Sequence, residues 1–262
     1  MSMFDGFRFR RVSSPIHELD PRVKFLYVCI IFAVAVLFNQ MLPLLVLFIV
    51  QIPFVVVARV QRQWIRSMKG SALFAILIFA TNLLSLYFYG TYESLPWLFE
   101  RSLAMTLRFI VLIESFSIFF LTTSPDHLGL ALEQSGIPYE FCFAFTTAIR
   151  FVPVLAEEAQ TIMDAQKSRG LELEKGNFIG RIKNYIPILI PLIVSAIRRS
   201  LELAEAMESR AWGAIKKRTN LYVLEMKRGD YCLIAISMTI LVFAVYVWLY
   251  VSVPYLTQLI PL

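Results

Sequence analysis

Residues 25–58 read FLYVCIIFAVAVLFNQMLPLLVLFIVQIPFVVVA, and they decide the fold because nearly every side chain in them is apolar. A single helix of this length would reach about 51 Å, whereas the hydrocarbon core of a bilayer is about 30 Å thick. The polar pair Asn39-Gln40 interrupts the run. We therefore predict a tight hairpin of two membrane-spanning helices, over residues 21–39 and 42–59.

Three more apolar runs are long enough to cross a bilayer, at residues 71–90, 102–122 and 231–252. The composition agrees, since 58% of the residues are hydrophobic and the mean hydropathy is +0.67. Asp20 is placed to cap the first helix, and Pro21 suits its first position. The sequence therefore predicts an all-α, polytopic membrane protein with about five transmembrane helices.

The basic residues are distributed unevenly around these spans. Five Lys or Arg residues lie in residues 1–24, four in 59–70 and fourteen in 123–230, so that 23 of the 25 fall on one side. Loops rich in Lys and Arg stay in the cytoplasm. We therefore predict a cytoplasmic N-terminus and an external C-terminus, and we read the net charge of +6 as a topology signal and not as a sign of nucleic-acid binding.

Residues 123–230 are apolar in places but carry charges every few residues. This pattern is typical of amphipathic helices at a membrane interface. We predict a short helix near 125–135 and two long helices, at about 138–169 and 181–212. Their apolar positions, which include Phe141, Phe145, Leu155, Ile162, Ile188, Leu192 and Leu203, are open to two interpretations: a packed core or a surface for another membrane protein.

The two long helices end in the same pattern, Ala-x-x-Ser-Arg, at residues 165–169 and 206–210. An arginine in the last helical turn is favoured by the helix dipole, and its planar guanidinium suits directional pairing with a carboxylate. Gly170 can adopt the left-handed conformation that ends a helix, and Gly213 could do so one turn later in the second helix. The pattern is also typical of a solvated cationic helix end, so both readings stand at this point.

The chain resembles the transmembrane T subunit of energy-coupling factor (ECF) transporters, the EcfT family, to which the cobalt-system protein CbiQ is related. The resemblance rests on residues 14–24 (SPIHELDPRVK), on Gly136-Ile137-Pro138 and on the two helix ends. In the family each helix end typically reads Ala-Arg-Gly. Here the ends read Ser-Arg-Gly and Ser-Arg-Ala, so the second lacks its glycine.

The resemblance implies a non-catalytic transmission subunit in a prokaryotic cytoplasmic membrane. Two ATP-binding cassette ATPases of the EcfA type would dock on the two helix tips, and a separate substrate-binding membrane S subunit would take up a vitamin or metal ion. The implied ATPase-docking residues are Ser168, Arg169 and Gly170 at the first tip, and Ser209, Arg210 and Ala211 at the second. These two names, first tip and second tip, are kept below.

The apolar spans and the charged stretch between them, together with the resemblance, predict a division into three parts. Residues 1–122 would form an N-terminal membrane domain of about four spans, and residues 230–262 a C-terminal transmembrane helix. Residues 123–229 would form a cytoplasmic coupling domain, in which the two long helices end at Arg169 and Arg210.

The sequence carries no feature of an enzyme. A phosphate-binding P-loop needs Gly followed by Lys, and no glycine here is followed by lysine. His17 and His127 are too far apart and too lightly accompanied to indicate a metal site, so we predict no cofactor. An alternative function is a self-contained channel or secondary carrier that uses Arg108 and Glu114, two charges inside the fourth span.

Overall fold

The structure is a computed structural model, and it describes residues 14–89, 95–173, 177–214 and 223–251. All regular secondary structure within those ranges is α-helical, which confirms the predicted fold class. The helices are α1 (Pro21–Leu37), α2 (Met41–Ala58), α3 (Gln61–Tyr89), α4 (Leu95–Thr122), α5 (Pro125–Gln134), α6 (Tyr139–Ser168), α7 (Phe178–Ser209) and α8 (Arg228–Tyr250).

The helix boundaries follow the predictions closely, except where α3 and α4 begin. Helix α3 starts about ten residues before the predicted span, and α4 about seven. Gln61, Arg62 and Arg66 are too polar to be counted in a membrane span, but they are good helix formers, so the helix extends through them. A hydropathy pattern marks the apolar part of a helix and underestimates its length.

Five helices are long and apolar enough to cross a membrane: Met41–Ala58, Gln61–Phe88, Pro96–Thr122, Tyr139–Ser168 and Arg228–Tyr250. The number of such helices agrees with the prediction, but they are not all the helices that were predicted to span the membrane. Helix α1 has 17 residues, a length of about 26 Å, and is just too short to be counted among the five. Helix α6, predicted to lie at the interface, qualifies with the lowest hydropathy of the five, 1.3 against 1.9 to 2.7.

The described residues form two compact units. One contains residues 14–131 and 224–251, here called the membrane bundle; the other contains residues 132–223, here called the helix pair. The predicted division at 122/123 and 229/230 lies near these limits but remains a prediction.

Helix α1 lies in the core of the membrane bundle, packed against α4 and α8. Its Ile31 and Ala35 are fully buried, as are Leu44 of α2 and Val111 of α4. Burying such side chains stabilises the packing of the helices on one another, and it explains why a helix slightly shorter than the bilayer core is held among longer ones.

Buried polar groups join the beginnings of α1 and α8. Asp20 caps α1 as predicted, since its side chain accepts a hydrogen bond from the Arg22 backbone N–H at 2.9 Å and Pro21 follows it. The Asp20 backbone N–H in turn donates to Asp230 Oδ1 at 2.8 Å. The other oxygen of Asp230 accepts from the Lys227 N–H at 2.7 Å, which caps α8.

Lys24 of α1 also contacts the end of α4. It is only 5% exposed, and its ammonium donates to the carbonyls of Thr122 at 3.0 Å and His17 at 3.3 Å. It also attracts Asp20 and Asp230 electrostatically. Burial, and then the charge of Lys24, lower the pKa of His17, so that this imidazole is neutral at pH 7.

Lys24, Asp20 and Asp230 are called the polar clamp below. The end of the bundle that holds it, where α1 and α8 begin and α4 ends, is called the clamp end. Helix α3 begins at this end too, because Val60 packs in one cluster with Ile16 and Ile118. The sequence analysis did not identify Lys24 or Asp230 as a pair, since 206 positions separate them in the chain and no local pattern relates them.

Candidate functional site: two helix tips

The first tip ends α6 with a complete Schellman motif. Arg169 is the C-cap, and Gly170 follows in the left-handed conformation with φ +88°. The Gly170 N–H donates to the Lys167 carbonyl at 2.9 Å, and the Leu171 N–H donates to the Gln166 carbonyl at 3.0 Å. These are the two hydrogen bonds that define the motif, and they satisfy carbonyls that the helix end would otherwise leave open.

The second tip ends α7 in the same way. Gly213 is left-handed as expected, at φ +84°, but Ala211 is the residue that follows the C-cap. Arg210 is the C-cap, and Ala211 takes the left-handed conformation with φ 56°. The Ala211 N–H donates to the Glu208 carbonyl at 2.9 Å, and the Trp212 N–H donates to the Met207 carbonyl at 3.0 Å. Helix α7 therefore ends at Ser209, three residues before the predicted end. Ala211 adopts a left-handed conformation that glycine adopts more easily, and this costs some free energy.

All six residues of the two tips are exposed. The two serines turn back onto their own helices, where Ser168 Oγ donates to the Asp164 carbonyl and Ser209 Oγ to the Ala206 carbonyl, both at 3.0 Å. Arg169 and Arg210 have no ion-pair partner among the residues that the structure describes. Each tip thus presents an unpaired guanidinium beside small residues, at the negative end of a helix dipole.

Helices α6 and α7 run antiparallel. Contacts at three levels show this: Gln166 Nε2 donates to the Pro187 carbonyl at 3.3 Å, Arg199 pairs with Glu158 at 3.0 Å, and the rings of Phe143 and Trp212 lie 4.3 Å apart. The end of each helix therefore lies beside the beginning of the other. The two tips lie at opposite ends of the pair, roughly 40 Å apart at 1.5 Å per residue.

Each tip is supported by the partner helix in a different way. Behind the second tip, Trp212 packs between Tyr139, 5.3 Å away, and Phe143, at the start of α6. Behind the first tip, Asn184 donates from its side chain to the Glu172 carbonyl at 2.9 Å. Sequence analysis identified neither supporting residue, although an aromatic side chain directly after the second motif was a visible signal.

A long apolar strip covers the free face of α7. Its side chains are each 47–59% exposed and recur at helical spacing: Ile182, Tyr185, Ile186, Leu189, Ile190, Ile193, Val194, Ile197 and Leu201. Ile188 is buried instead and belongs to the packing between helices. Of the predicted apolar positions on α7, Leu192 and Leu203 are half-buried, so the exposed strip is made of other residues, and its use as a surface for another membrane protein stays a prediction.

The structure keeps Arg108 and Glu114 apart. The Arg108 guanidinium donates to the Phe38 carbonyl at 2.6 Å and to Asn39 Oδ1 at 2.7 Å, so it secures the turn between α1 and α2. Glu114 is fully buried, and neither of its carboxyl oxygens has a hydrogen-bond partner. Arg108 therefore has a structural role, and its partners, the Phe38 carbonyl and the Asn39 side chain, lie 70 and 69 positions away in the chain.

Comparison with known proteins agrees with this architecture. Residues 12–221 match the family CbiQ, described as "Cobalt transport protein". Proteins named "Energy-coupling factor transporter transmembrane protein EcfT" are similar over most of their length. The one from Clostridium kluyveri is 34% identical over 82% of this chain and 86% of its own, and the one from Heliobacterium modesticaldum is 34% identical over 86% and 91%.

The relative from Staphylococcus aureus is 32% identical over 90% of this chain and 92% of its own. A family match over most of the chain and relatives above 30% identity carry one conclusion: the chain belongs to the CbiQ/EcfT family of transporter membrane proteins.

Proposed function

We propose that this chain is the coupling subunit of an ECF-type importer, which transmits ATP-driven motion from two cytoplasmic ATPase subunits to a substrate-binding S subunit. The observation that supports this proposal most directly is the pair of tips. Both have the same sequence pattern, the same capping hydrogen bonds and an unpaired exposed arginine.

The separation of the tips supports two ATPase subunits and not one. Tips roughly 40 Å apart, at opposite ends of an antiparallel helix pair, are too distant to enter a single groove. Two copies of one ATPase fold, or two related ones, would offer two similar grooves to two similar helix ends. An acidic residue in each groove would complement Arg169 and Arg210.

The apolar strip on α7 supports a second class of partner. It extends over residues 182–201, about 29 Å, which is close to the thickness of a bilayer core. A strip of this length fits a membrane-embedded partner, for which we propose the S subunit. That subunit would select the vitamin or metal ion, because the site residues proposed for this chain carry no group that would bind either one.

Orientation follows from the distribution of charge. Residues 14–24 and the beginnings of α3 and α8 share the clamp end of the bundle, and they bring their basic residues with them. We propose that this end faces the cytoplasm of a prokaryotic cell.

The test combines assembly with transport. Arg169→Ala with Arg210→Ala should leave membrane insertion intact and abolish ATP-driven uptake by the complete transporter, with loss of the ATPases on co-purification. The matched control is Arg198→Ala, which removes an exposed charge from α7 twelve residues before Arg210 of the second tip and far from the first. Normal uptake by the tip variant would reject the docking role.

A carrier function is the second candidate, because the unpaired, fully buried Glu114 is unusual inside a membrane span. Under the coupling proposal, Glu114→Gln should transport normally, since the amide has the same shape. Loss of transport with normal assembly, together with uptake by the isolated chain in liposomes, would favour the carrier.

A further inference from the structure

A row of cations lies unpaired where α3 begins. Arg59, Arg62, Arg66 and Lys69 are all exposed, and none has an ion-pair partner among the described residues. The chain from residue 21 to residue 92 contains no Asp or Glu. Four positive charges within eleven residues therefore have no counter-charge nearby in the sequence, which is an unusual arrangement for a surface that faces only water.

The row lies at the edge of the apolar part of the bundle. Within it, directly after Arg59, Val60 is buried against Ile16 and Ile118. Directly after it, Leu73, Phe74 and the following apolar residues of α3 are largely exposed, as expected for a helix in contact with lipid. The four charges therefore mark the level at which α3 passes from the headgroup region into hydrocarbon.

An open groove of about 570 Å³ lies between α3 and α4 next to this row. On α4 it is lined by large apolar side chains, among them Phe109, Ile113, Phe116 and Phe120. On α3 it is lined by Ser67, the residue next to Arg66. The apolar groove along α4 thus reaches α3 at Ser67, one residue from Arg66.

We infer that this groove and the cationic row bind an anionic phospholipid, with an acyl chain along α4 and the phosphate at Arg62 and Arg66. The charge decides between occupants. An apolar helix from a protein would fill the groove but leave the cations unpaired. A zwitterionic lipid would bring its own cation to them. A phospholipid with net negative charge satisfies both parts, as basic pockets between membrane helices do elsewhere.

The site is tested on the detergent-solubilised chain with phosphatidylglycerol and phosphatidylcholine of equal chain length as probes. Native mass spectrometry and fluorescence competition should show preferential binding of phosphatidylglycerol, weakened by salt. Arg62→Gln with Arg66→Gln should lower that affinity about 10- to 30-fold, on the basis of about 1 kcal/mol for each basic residue near an anionic surface. Lys183→Gln with Arg198→Gln is the matched control and should change nothing.

A variant of the groove separates the two halves of the site. Ile113→Trp should reduce binding of both phospholipids, while glycerol phosphate, which has the headgroup without the chains, should not compete. Equal binding of the two lipids by the unchanged protein, or an equal loss in the control pair, would overturn the inference. Thermal unfolding of each variant verifies that the fold is retained.

Discussion

The membrane bundle and the helix pair are stabilised in opposite ways. In the bundle, Val23, Ile31 and Val111 are at most 2% exposed, and the polar clamp joins three helices through buried hydrogen bonds. In the helix pair, Cys142 and Ile188 are the buried hydrophobic side chains of α6 and α7 among those described. The pair relies on a few polar and aromatic contacts and leaves a long apolar strip uncovered.

This difference indicates which part carries its own stability and which part needs partners. Buried hydrogen bonds between helices, such as those of Asp230 and Lys24, rigidify the helices that they join. A helix pair with little buried surface keeps its geometry weakly and can respond to forces applied at its ends. The bundle is thus suited to stay fixed in the membrane, and the pair is suited to the motion that the proposed function requires of it.

The largest expected effect is on the bundle. Lys24→Met removes the buried ammonium that donates to the Thr122 and His17 carbonyls and attracts Asp20 and Asp230, which should destabilise the chain by about 3 kcal/mol. The measurement is thermal unfolding in detergent. Lys227→Ala is the control, because its ion pair with Glu18 is 64% and 68% exposed and is worth at most about 0.5 kcal/mol. Equal effects of the two variants would show that the clamp contributes no more than a surface contact.

The next effect concerns the helix pair. Glu158 accepts hydrogen bonds from Arg199 at 3.0 Å and from Ser195, where α6 and α7 meet midway. Glu158→Ala should weaken their contact by about 1 kcal/mol, since the ion pair is partly exposed. Uptake per ATP hydrolysed should fall while both ATPases still co-purify. The reversed pair, Glu158→Arg with Arg199→Glu, should recover part of the loss, and no recovery would argue against a pairwise role.

The smallest effect compares the two tips directly. Ala211 is left-handed at φ 56° where the first tip has glycine, so Ala211→Gly should relieve strain and stabilise the end of α7 by about 1 kcal/mol. Gly170→Ala should destabilise α6 by a similar amount, although no atom would crowd the new Cβ. Hydrogen exchange of the last turn of each helix measures both changes. If Ala211→Gly stabilises the last turn of α7 and Gly170→Ala destabilises that of α6, the two caps have the same conformational requirement. Changes of the same sign in both variants would show that the caps are not equivalent.

Local patterns were reliable wherever one property dominated. The hairpin at Asn39-Gln40, the cap at Asp20 and the long helices ending near Arg169 and Arg210 followed from hydropathy, capping preference and repetition. The predictions were wrong for the beginnings of α3 and α4 and for the end of α7. At α3, polar helix formers extended the helix toward its N-terminus, and at the end of α7 Ala211 took the place of the glycine that sequence rules look for.

By itself, the sequence determined that this protein is helical, membrane-embedded and a member of a transporter family, because hydrophobic runs, charge distribution and motifs are properties of neighbouring residues. Only the tertiary structure decided that Lys24 and Asp230 share one buried network, that Arg108 holds a turn and that the two tips lie at opposite ends of a pair. These pairings join residues far apart in the chain. They depend on how helices pack against one another, and a linear pattern does not encode that directly.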